Sequence, residues 1–324
     1  MRRIKEFGSL PLVILLLIVF FIIVFYQVDD RSQKKETRKH VSMIVYGDDS
    51  ERWENMREGA YLVCEEENAD LSLITMMSEN DPGEQEEIIE REIDDGADAL
   101  IIAACNSDEI SGYIKNRKPR IPVIFVETTD NENSRTDYVA PDDYNMGVKL
   151  GEEIVESESD IVTVAIISGD ANRDSVALRE KGLRDAIEGK VGKVIDWKDD
   201  DVGQKINSRV FIQRAIVSEA TDVIVTLDNV TTDALLDALA NLNESRKVYS
   251  ISTSNQAVYY LYNKQIIALE YPDEFSMGYL AAMKVLDKKD AGKKYSDKQI
   301  EYRIVRKENM YDKDNQTLLF PFVN

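Results

Sequence analysis

Residues 41–60, VSMIVYGDDSERWENMREGA, contain the unit that decides the fold. A short apolar run is followed by a polar turn and then by a segment with the spacing of an amphipathic helix. The same unit recurs along the rest of the chain. Its apolar runs are short, continuous and rich in Val and Ile, which is typical of strands buried on both faces of a parallel sheet. Alternating units of this kind predict an α/β protein with right-handed parallel crossovers.

The recurring pattern also gives the number of lobes. It predicts strands at Val41–Tyr46, Leu71–Met76, Ala99–Ala103, Val123–Val126, Ile161–Ile167, Val194–Trp197, Val223–Thr226 and Val248–Ile251. It predicts helices at Arg52–Glu67, Glu84–Asp95, Asp108–Arg117, Tyr144–Ser157, Ser175–Ile187, Gln204–Ala220 and Thr231–Leu242. Because a single open sheet rarely exceeds about 10 strands, we predict two doubly wound parallel-sheet lobes.

Composition and charge narrow the class of protein. The chain has 324 residues and a formal net charge of −21, which disfavours binding to nucleic acid or to anionic lipid headgroups. Cys64 and Cys105 lie in apolar runs, so we expect buried free thiols. The only histidine, His40, precedes the first predicted strand, and the sequence has no CxxC spacing. We therefore expect no metal site, no cofactor and no histidine-based catalysis.

The N-terminal segment predicts a membrane anchor. The run from Leu10 to Tyr26 carries no charged side chain, and with the next two residues it approaches the ~20 residues that cross a bilayer. Residues 25–28 lack the small side chains of a signal-peptide cleavage site, and no cysteine is available there for a lipid. We predict a cytoplasmic tail at 1–9, an uncleaved transmembrane helix at 10–28 and a polar linker at 29–40. Basic residues on both sides leave the orientation open.

The residues that follow the predicted strands are the candidate ligand-binding residues, because ligands of open α/β sheets bind beyond the carboxyl ends of the strands. Some of them also suit helix capping. Trp53 is an aromatic residue near a helix N-terminus, where we do not expect core packing. An aromatic ring, carboxylates, an arginine and hydroxyls together favour a polyhydroxylated ligand. The candidates are Asp49, Arg52, Trp53, Glu127, Arg179, Asp228 and Ser252.

The motifs of common enzyme classes are missing from the sequence. It contains neither a phosphate-cradling glycine loop nor a nucleophile elbow. A glycosidase needs two carboxyl groups at a defined separation, and no such pair can be selected from 61 acidic residues. We therefore predict a binding protein rather than an enzyme.

Several segments, taken in order, resemble one known family. They are residues 41–60, Gly96–Ile102, Ile121–Ile124, Tyr138–Tyr144 with Gly147, Arg179–Leu183, Thr226–Asn229 and Phe275–Tyr279. Together they are similar to the type I periplasmic sugar-binding proteins, which share their fold with the ligand-binding core of lac-type repressors. A membrane segment occupies the place of the repressors' helix-turn-helix, which disfavours DNA binding.

The resemblance implies a domain organisation and a location. It implies an N-lobe of residues 41–140 plus 271–292 and a C-lobe of residues 141–270 plus 293–324. Three crossovers join the lobes and form a hinge that closes on the ligand. It also implies that both lobes lie outside the cell, as the extracytoplasmic domain of a single-pass membrane protein.

The resemblance also implies roles for individual residues. Asp49, Arg52 and Trp53 match the family's first-lobe contacts, with Trp53 in the position that stacks on the sugar. Glu127 matches the acid that follows the fourth strand. Arg179 matches the family's arginine that lies three residues before a glycine, which is Gly182 in this sequence.

Other positions depart from the family pattern. Asp228 stands where asparagine or aspartate is common, but Ser252 stands where the family has an acid. Thr128 replaces a residue that is often basic. An ungapped count places Pro272 where a polar amide is typical, with Glu270 and Asp273 as the alternatives for that role. Trp197 lies within its predicted strand, whereas the family's second stacking aromatic is expected nearer residue 202. These departures leave the identity of the ligand open.

Two versions of the binding function follow from the resemblance. In the first, the protein captures a sugar or a similar small polar molecule for an ABC permease. In the second, it is a tethered sensor that signals to a membrane histidine kinase or a chemoreceptor. A hydrolase of cell-surface glycans is a third and less supported function.

Overall fold

The computed structural model describes residues 20, 38–47, 50–128, 137–158, 161–198, 205–286 and 300–320, without the side chains at 51 and 205–207. The chain divides into residues 1–38 and one compact unit, Lys39–Asn324. No helix within the described ranges is long and apolar enough to cross a bilayer. The predicted anchor at 10–28, apart from residue 20, lies outside those ranges, and so does most of the predicted linker.

Strands and helices alternate through the compact unit. The strands are β1 Lys39–Val45, β2 Ala69–Thr75, β3 Ala99–Ile102, β4 Val123–Val126, β5 Asp137–Val139, β6 Thr163–Ile167, β7 Lys193–Trp197, β8 Val223–Thr226, β9 Lys247–Ile251, β10 Ile266–Pro272 and β11 Tyr302–Val305. The helices are α1 Glu54–Glu66, α2 Pro82–Asp94, α3 Ser107–Arg117, α4 Asp143–Ser157, α5 Asp174–Ile187, α6 Lys205–Ser218, α7 Asn229–Leu242, α8 Asn255–Tyr262, α9 Glu274–Leu286 and α10 Lys313–Leu319. A 3-10 turn, Glu51–Trp53, precedes α1.

Every strand and helix predicted from the sequence is present, and their ends differ by at most two residues. The sequence did not predict β5, β10, β11, α8, α9 and α10. Strand β5 has only three residues and begins with an aspartate. Strand β10 contains Glu270 and ends at Pro272, which interrupts the apolar pattern by which buried strands are recognised.

The strands form two sheets. The first has the order β2-β1-β3-β4-β5 and the second the order β11-β10-β9-β8-β6-β7. The described pairs are parallel except β10 with β11. The prediction of an α/β fold with two parallel sheets is therefore confirmed, with an antiparallel strand added at one edge.

The chain passes between the two sheets more than once. It leaves the first sheet after β5 and enters α4 at Asp143. It returns after β10, because α9 packs on α1 and on strands β3, β4 and β5 of the first sheet. It then joins the second sheet again at β11, which pairs with β10. We call the first sheet with its helices lobe 1 and the second sheet with its helices lobe 2.

The buried cores explain why the sequences of the strands are continuous runs of apolar residues. In lobe 1 the side chains of Met43 and Ile101 are fully buried within one cluster. In lobe 2 separate clusters cover the two faces of the sheet, with Leu235 in one and Leu183 in the other. Both cysteines, Cys64 and Cys105, are buried and free, as expected.

Helices α1 and α9 of lobe 1 approach each other at two glycines. A Cβ atom on Gly278 would lie 1.8 Å from the carbonyl oxygen of Met56, and one on Gly59 would lie 2.0 Å from that of Phe275. No side chain fits in this space, so the two backbones are in direct contact. Helices α4 and α5 repeat the arrangement in lobe 2 through Gly147 and Gly182.

We expect Gly278→Ala to lower the free energy of unfolding by at least about 2 kcal/mol, because the added methyl group forces the two helices apart. Thermal unfolding of the variant measures this loss. Gly112→Ala is the matched control, since a Cβ at Gly112 in α3 meets nothing within 4 Å. The control should leave the melting temperature unchanged or raise it. Equal melting temperatures for both variants would contradict the close approach of α1 and α9.

Candidate ligand-binding site

Residues beyond the carboxyl ends of strands from both sheets contact one another. Tyr46 follows β1 and Glu127 follows β4 in lobe 1, while Arg173 follows β6 and Asp228 follows β8 in lobe 2. This is the region where open α/β sheets bind their ligands. We call the group of residues that meets here the cleft cluster: Tyr46, Arg52, Glu79, Glu127, Arg173 and Asp228.

The lobe 1 part of the cleft cluster is centred on the hydroxyl of Tyr46. That hydroxyl donates to Oε2 of Glu127 at 2.5 Å and accepts from Nη2 of Arg52 at 2.8 Å. Nη1 of Arg52 donates to Oε2 of Glu79 at 3.3 Å. Burial raises the pKa of Tyr46, although the nearby charges of Arg173 and Arg52 oppose the rise. The tyrosine therefore stays protonated and donates to the carboxylate.

Lobe 2 contributes Arg173, whose guanidinium lies against the same tyrosine. Its Cζ atom is 4.5 Å from the centroid of the Tyr46 ring, which is within the range of a cation–π interaction. Nη2 donates to Oδ2 of Asp228 at 3.1 Å, and Nη1 is 4.0 Å from Oε2 of Glu79. Within the described part of the chain, Nε and Nη1 make no hydrogen bond. Arg173 thus joins the lobes, and two of its donor atoms lack a hydrogen-bond acceptor among the described residues.

Asp228 links this arginine to the start of α7. Its Oδ1 accepts from the backbone N–H of Thr231 at 2.8 Å and caps the helix. Burial acts to raise the pKa of Asp228, but the charge of Arg173 and the Thr231 bonds outweigh it and hold the pKa below its usual value. The carboxylate therefore stays ionised beside the guanidinium.

Arg179 lies behind the cleft cluster and ties three elements together. Its Nε donates to Oδ1 of Asp143 in α4 at 2.7 Å, and its Nη1 donates to the carbonyl oxygen of Leu227 at 3.0 Å. Burial raises the pKa of Asp143 to about 6, although the charge of Arg179 opposes the rise. Since Leu227 directly precedes Asp228, Arg179 fixes the loop that carries this aspartate.

Glu127 has an unusual backbone conformation. Its φ is 67°, in the left-handed region that side chains other than glycine rarely adopt. The conformation turns the chain sharply after β4, and the N–H of Glu127 donates to the carbonyl oxygen of Val139 in β5. Such strained residues persist where the surrounding structure holds them and are concentrated at functional sites.

Two hydroxyl groups of lobe 1 bind the N-terminus of α5 in lobe 2. The oxygens of Ser107 and Thr128 are 2.7 Å apart. The backbone N–H groups of Asp174 and Ser175 donate to them at 3.0 and 3.4 Å respectively. A helix N-terminus is electropositive, so a basic side chain at position 128 would be repelled there. The departure from the family pattern at Thr128 therefore has a structural cause.

Three of the predicted site residues, Trp53, Arg179 and Ser252, are not members of the cleft cluster, and one lies outside the described residues. Trp53 nevertheless contacts the cluster, because its ring packs edge-on against Tyr46 and the guanidinium of Arg52 lies over it. Trp53 is fully buried in the lobe 1 core, and its Nε1–H donates to the carbonyl oxygen of Tyr46 at 3.1 Å. The expectation that Trp53 avoids core packing is wrong, because the indole covers the turn between β1 and α1.

Ser252 is buried and donates to Oδ1 of Asn229 at 2.8 Å. Asp49 lies outside the described residues. Trp197 is buried in the lobe 2 core.

Sequence reasoning missed Tyr46, Glu79 and Arg173. The apolar pattern includes Tyr46 in the first predicted strand, although the strand ends at Val45. Arg173 directly precedes α5, and the sequence pattern there indicates only the start of a helix. Its position in the loop after a buried strand is the signal that identifies it.

Further polar atoms near Arg173 have no partner. Within the described ranges, the hydroxyl oxygens of Ser168 and Ser175 and Oδ2 of Asp170 accept and donate no hydrogen bond. Burial raises the pKa of Asp170. Ser168 and Asp170 line a cavity of about 580 Å³ that also reaches Asn80 of lobe 1. Buried polar groups without partners are costly, and a polar ligand would satisfy them.

Comparison with known proteins gives the family of this fold. Residues 41–294 match the periplasmic binding protein domain family. The chain belongs to this family. No curated protein sequence has a significant match to the chain.

Solved structures of this family are similar to the chain in fold, at low sequence identity. A carbohydrate transporter solute-binding protein from Agrobacterium radiobacter, in complex with D-arabinose, has a TM-score of 0.78 and 17% identity over 87% of this chain and 99% of its own. The myo-inositol-binding protein of Caulobacter has a TM-score of 0.71 and 16% identity over 83% and 94%. The XylFII–LytSN complex has a TM-score of 0.72 and 16% identity over 84% and 99%.

The burial of Glu270 predicts that the stability of the protein depends on pH. It is fully buried in β10, and in the described part of the chain neither carboxyl oxygen makes a hydrogen bond. Burial raises its pKa to about 9, although Lys149 and Arg179 act to lower it. At pH values between the ordinary pKa of glutamate and the raised pKa of Glu270 in the folded protein, the unfolded chain releases this proton and the folded chain keeps it. Stability is therefore lost as pH rises through this interval.

We expect Glu270→Gln to raise the melting temperature by a few degrees at pH 8 and to change it little at pH 5, because glutamine has no proton to release. Melting curves at both pH values test this. Glu87→Gln, on the exposed side of α2, is the matched control and should leave the pH profile unchanged. An identical gain at the two pH values would contradict a protonated Glu270.

Proposed function

We propose that this chain is a solute-binding protein that captures a sugar or a related polyol between its two lobes. The proposal rests on the contacts of Arg173. This buried arginine of lobe 2 lies on Tyr46 of lobe 1 and has two hydrogen-bond donor atoms without acceptors among the described residues. A guanidinium beside a carboxylate is suited to a ligand with neighbouring hydroxyl groups, because the guanidinium donates hydrogen bonds to the hydroxyls and the carboxylate accepts hydrogen bonds from them.

The ligands of structural neighbours agree with this class. The neighbours with D-arabinose and myo-inositol bind uncharged, polyhydroxylated rings. In the cleft cluster each guanidinium is paired with a carboxylate, so a neutral ligand need not bring a compensating charge. Polar atoms at Ser168, Asp170 and Ser175 add further donors and acceptors.

We also propose that the protein stays in the cell membrane with its lobes outside the cell. The support is the uncharged run from Leu10 to Tyr26, which lacks both a cleavage site and a cysteine for lipid attachment. Such an anchor keeps the binding domain at the membrane surface, close to any membrane partner.

Capture for an ABC permease is the first version of the function, and signalling to a membrane histidine kinase or chemoreceptor is the alternative. The neighbours described as transporter proteins favour the first. An anchor without a lipid cysteine favours the second, and the XylFII–LytSN complex is an instance of this fold bound to another protein. Photo-crosslinking of the full chain in its native membrane, followed by mass spectrometry, separates the two versions by recovering either a permease or a kinase.

The ligand itself is found by thermal shift of the full-length chain against monosaccharides and polyols, followed by calorimetry for each molecule that stabilises it. We expect at least one pentose, hexose or inositol to raise the melting temperature in a saturable way. Incubation of the chain with candidate oligosaccharides tests the hydrolase, and release of a product would favour it. Stabilisation by none of these molecules would contradict the proposal.

We expect Arg173→Ala to weaken binding of that ligand about 10- to 100-fold, because the hydroxyls of the ligand lose charged donors. Arg173→Lys should recover only part of the affinity, since an ammonium lacks the planar fork. Calorimetry measures both, and a melting curve first establishes that each variant is folded. Arg91→Ala on the surface of α2 is the matched control. Wild-type affinity in Arg173→Ala would remove this residue from the site.

A further inference from the structure

The cavity of about 580 Å³ adjoins the cleft cluster at the loop between β6 and α5. Its volume falls within the range of ~300–1,000 Å³ that is typical of small-molecule sites. No member of the cleft cluster is among its described lining residues. Lobe 1 contributes Asn80, which directly follows Glu79 of the cluster. Lobe 2 contributes residues 168–172, part of α5 and Lys198 after β7.

Two contacts of the lining lead directly into the cleft cluster. Gly169 lines the cavity, and a Cβ atom on this glycine would lie 2.3 Å from Oδ2 of Asp228. The wall between the cavity and that carboxylate is therefore one residue of backbone thick. The backbone N–H of Arg173 donates to the carbonyl oxygen of Asp170, another lining residue, at 3.1 Å. The cavity is thus the immediate neighbour of the arginine–aspartate pair in the proposed sugar site.

The cavity is open to solvent, whereas this pair is buried. The side chains of Asn80, Asn172 and Lys198 in the lining are exposed. Arg173 and Asp228 are only 2% and 3% exposed. A ligand with more than one sugar ring cannot place all of them within a buried cluster, and the adjoining open cavity has room for the next ring.

The side chains of the lining suit hydroxyl groups. Asn80 and Asn172 carry amides, which both donate and accept hydrogen bonds, and Glu180 is an acceptor. The apolar side chains of the described lining are the methyl groups of Ala171 and Ala177. The described part of this wall contains neither an aromatic ring nor a branched aliphatic side chain, so an apolar substituent would have little to pack on.

The charges of the lining favour a neutral group over an anion. Arg184 pairs with Glu180 and also with Asp196. Nζ of Lys181 lies 5.5 Å from the ring centroid of Tyr144, within reach of a cation–π interaction. These cations therefore already have partners, and a phosphate or carboxylate would also lie near the acidic side chains of the same wall.

We propose that the ligand is a disaccharide or a longer oligosaccharide, with one ring in the cleft cluster and the next ring in this cavity. The proposal rests on the proposed sugar-binding function and extends it from one ring to two linked rings. The hydroxyl groups of the second ring bond Asn80 of lobe 1 and Asn172 of lobe 2. The second ring therefore contacts both lobes.

Calorimetry of the full-length chain with matched sugars tests this second ring. The pairs are D-xylose with xylobiose, D-glucose with cellobiose, D-galactose with galactobiose and L-arabinose with arabinobiose. In at least one pair we expect the disaccharide to have a Kd at least tenfold lower, because its second ring adds contacts that the monosaccharide lacks. Equal or weaker binding of the disaccharide in every pair would overturn the second ring and leave the sugar site standing. Binding of none of these sugars would contradict the proposed function, and the second ring with it.

The variant Ala177→Trp locates the second ring, because an indole at this position of α5 fills the cavity. We expect the Kd of the disaccharide to rise to that of its monosaccharide, whose own Kd stays unchanged. Ala220→Trp, at an exposed position, is the matched control and should bind both sugars like the wild type. A preference for the disaccharide that survives in Ala177→Trp would overturn the proposal. If a melting curve shows that this variant does not fold, Asn80→Ala takes its place and should weaken binding of the disaccharide alone.

Discussion

The contact of Arg173 with Tyr46 and Asp228 is the interaction on which the meeting of the two lobes at the cleft depends. It brings a buried guanidinium of one lobe onto an aromatic ring of the other, at 4.5 Å, while an aspartate 3.1 Å away balances the charge. Removing such charges from water is expensive, and only good pairing offsets the cost. The loops after β1, β2, β6 and β8 must therefore hold their side chains in one geometry, and the bonds of Arg52 and Arg179 serve this purpose.

The helix termini near the cleft complement these charges. The N-terminus of α5 binds two hydroxyl oxygens across the lobes, and the N-terminus of α7 is capped by the aspartate that also pairs with Arg173. Partial charges of the backbone thus take part in the same network as the side chains. Thr128 illustrates the dependence: its small hydroxyl accepts from a helix N-terminus, which a longer basic side chain could not do.

Most of the fold could be predicted from the sequence, because strands buried on both faces leave continuous apolar runs such as Val223–Thr226. The pattern failed at β10, where a buried glutamate that stays protonated looks like a surface residue. The region of the site was also predictable, since it follows from the strand ends. Its individual contacts were not. Arg173 contacts Tyr46, although the two residues are separated by more than a hundred positions in the sequence. Trp53 turns inward because its indole N–H donates to a carbonyl oxygen in the preceding turn.

The glycine contacts between paired helices have a mechanical consequence. In each lobe two helices touch backbone to backbone, through Gly59 and Gly278 in one and through Gly147 and Gly182 in the other. Helices that meet without an intervening layer of side chains have little room to slide, so we expect each lobe to move as a rigid body. We therefore expect deformation to be confined to the short crossings, where a small rotation displaces the outer ends of the lobes by a larger distance.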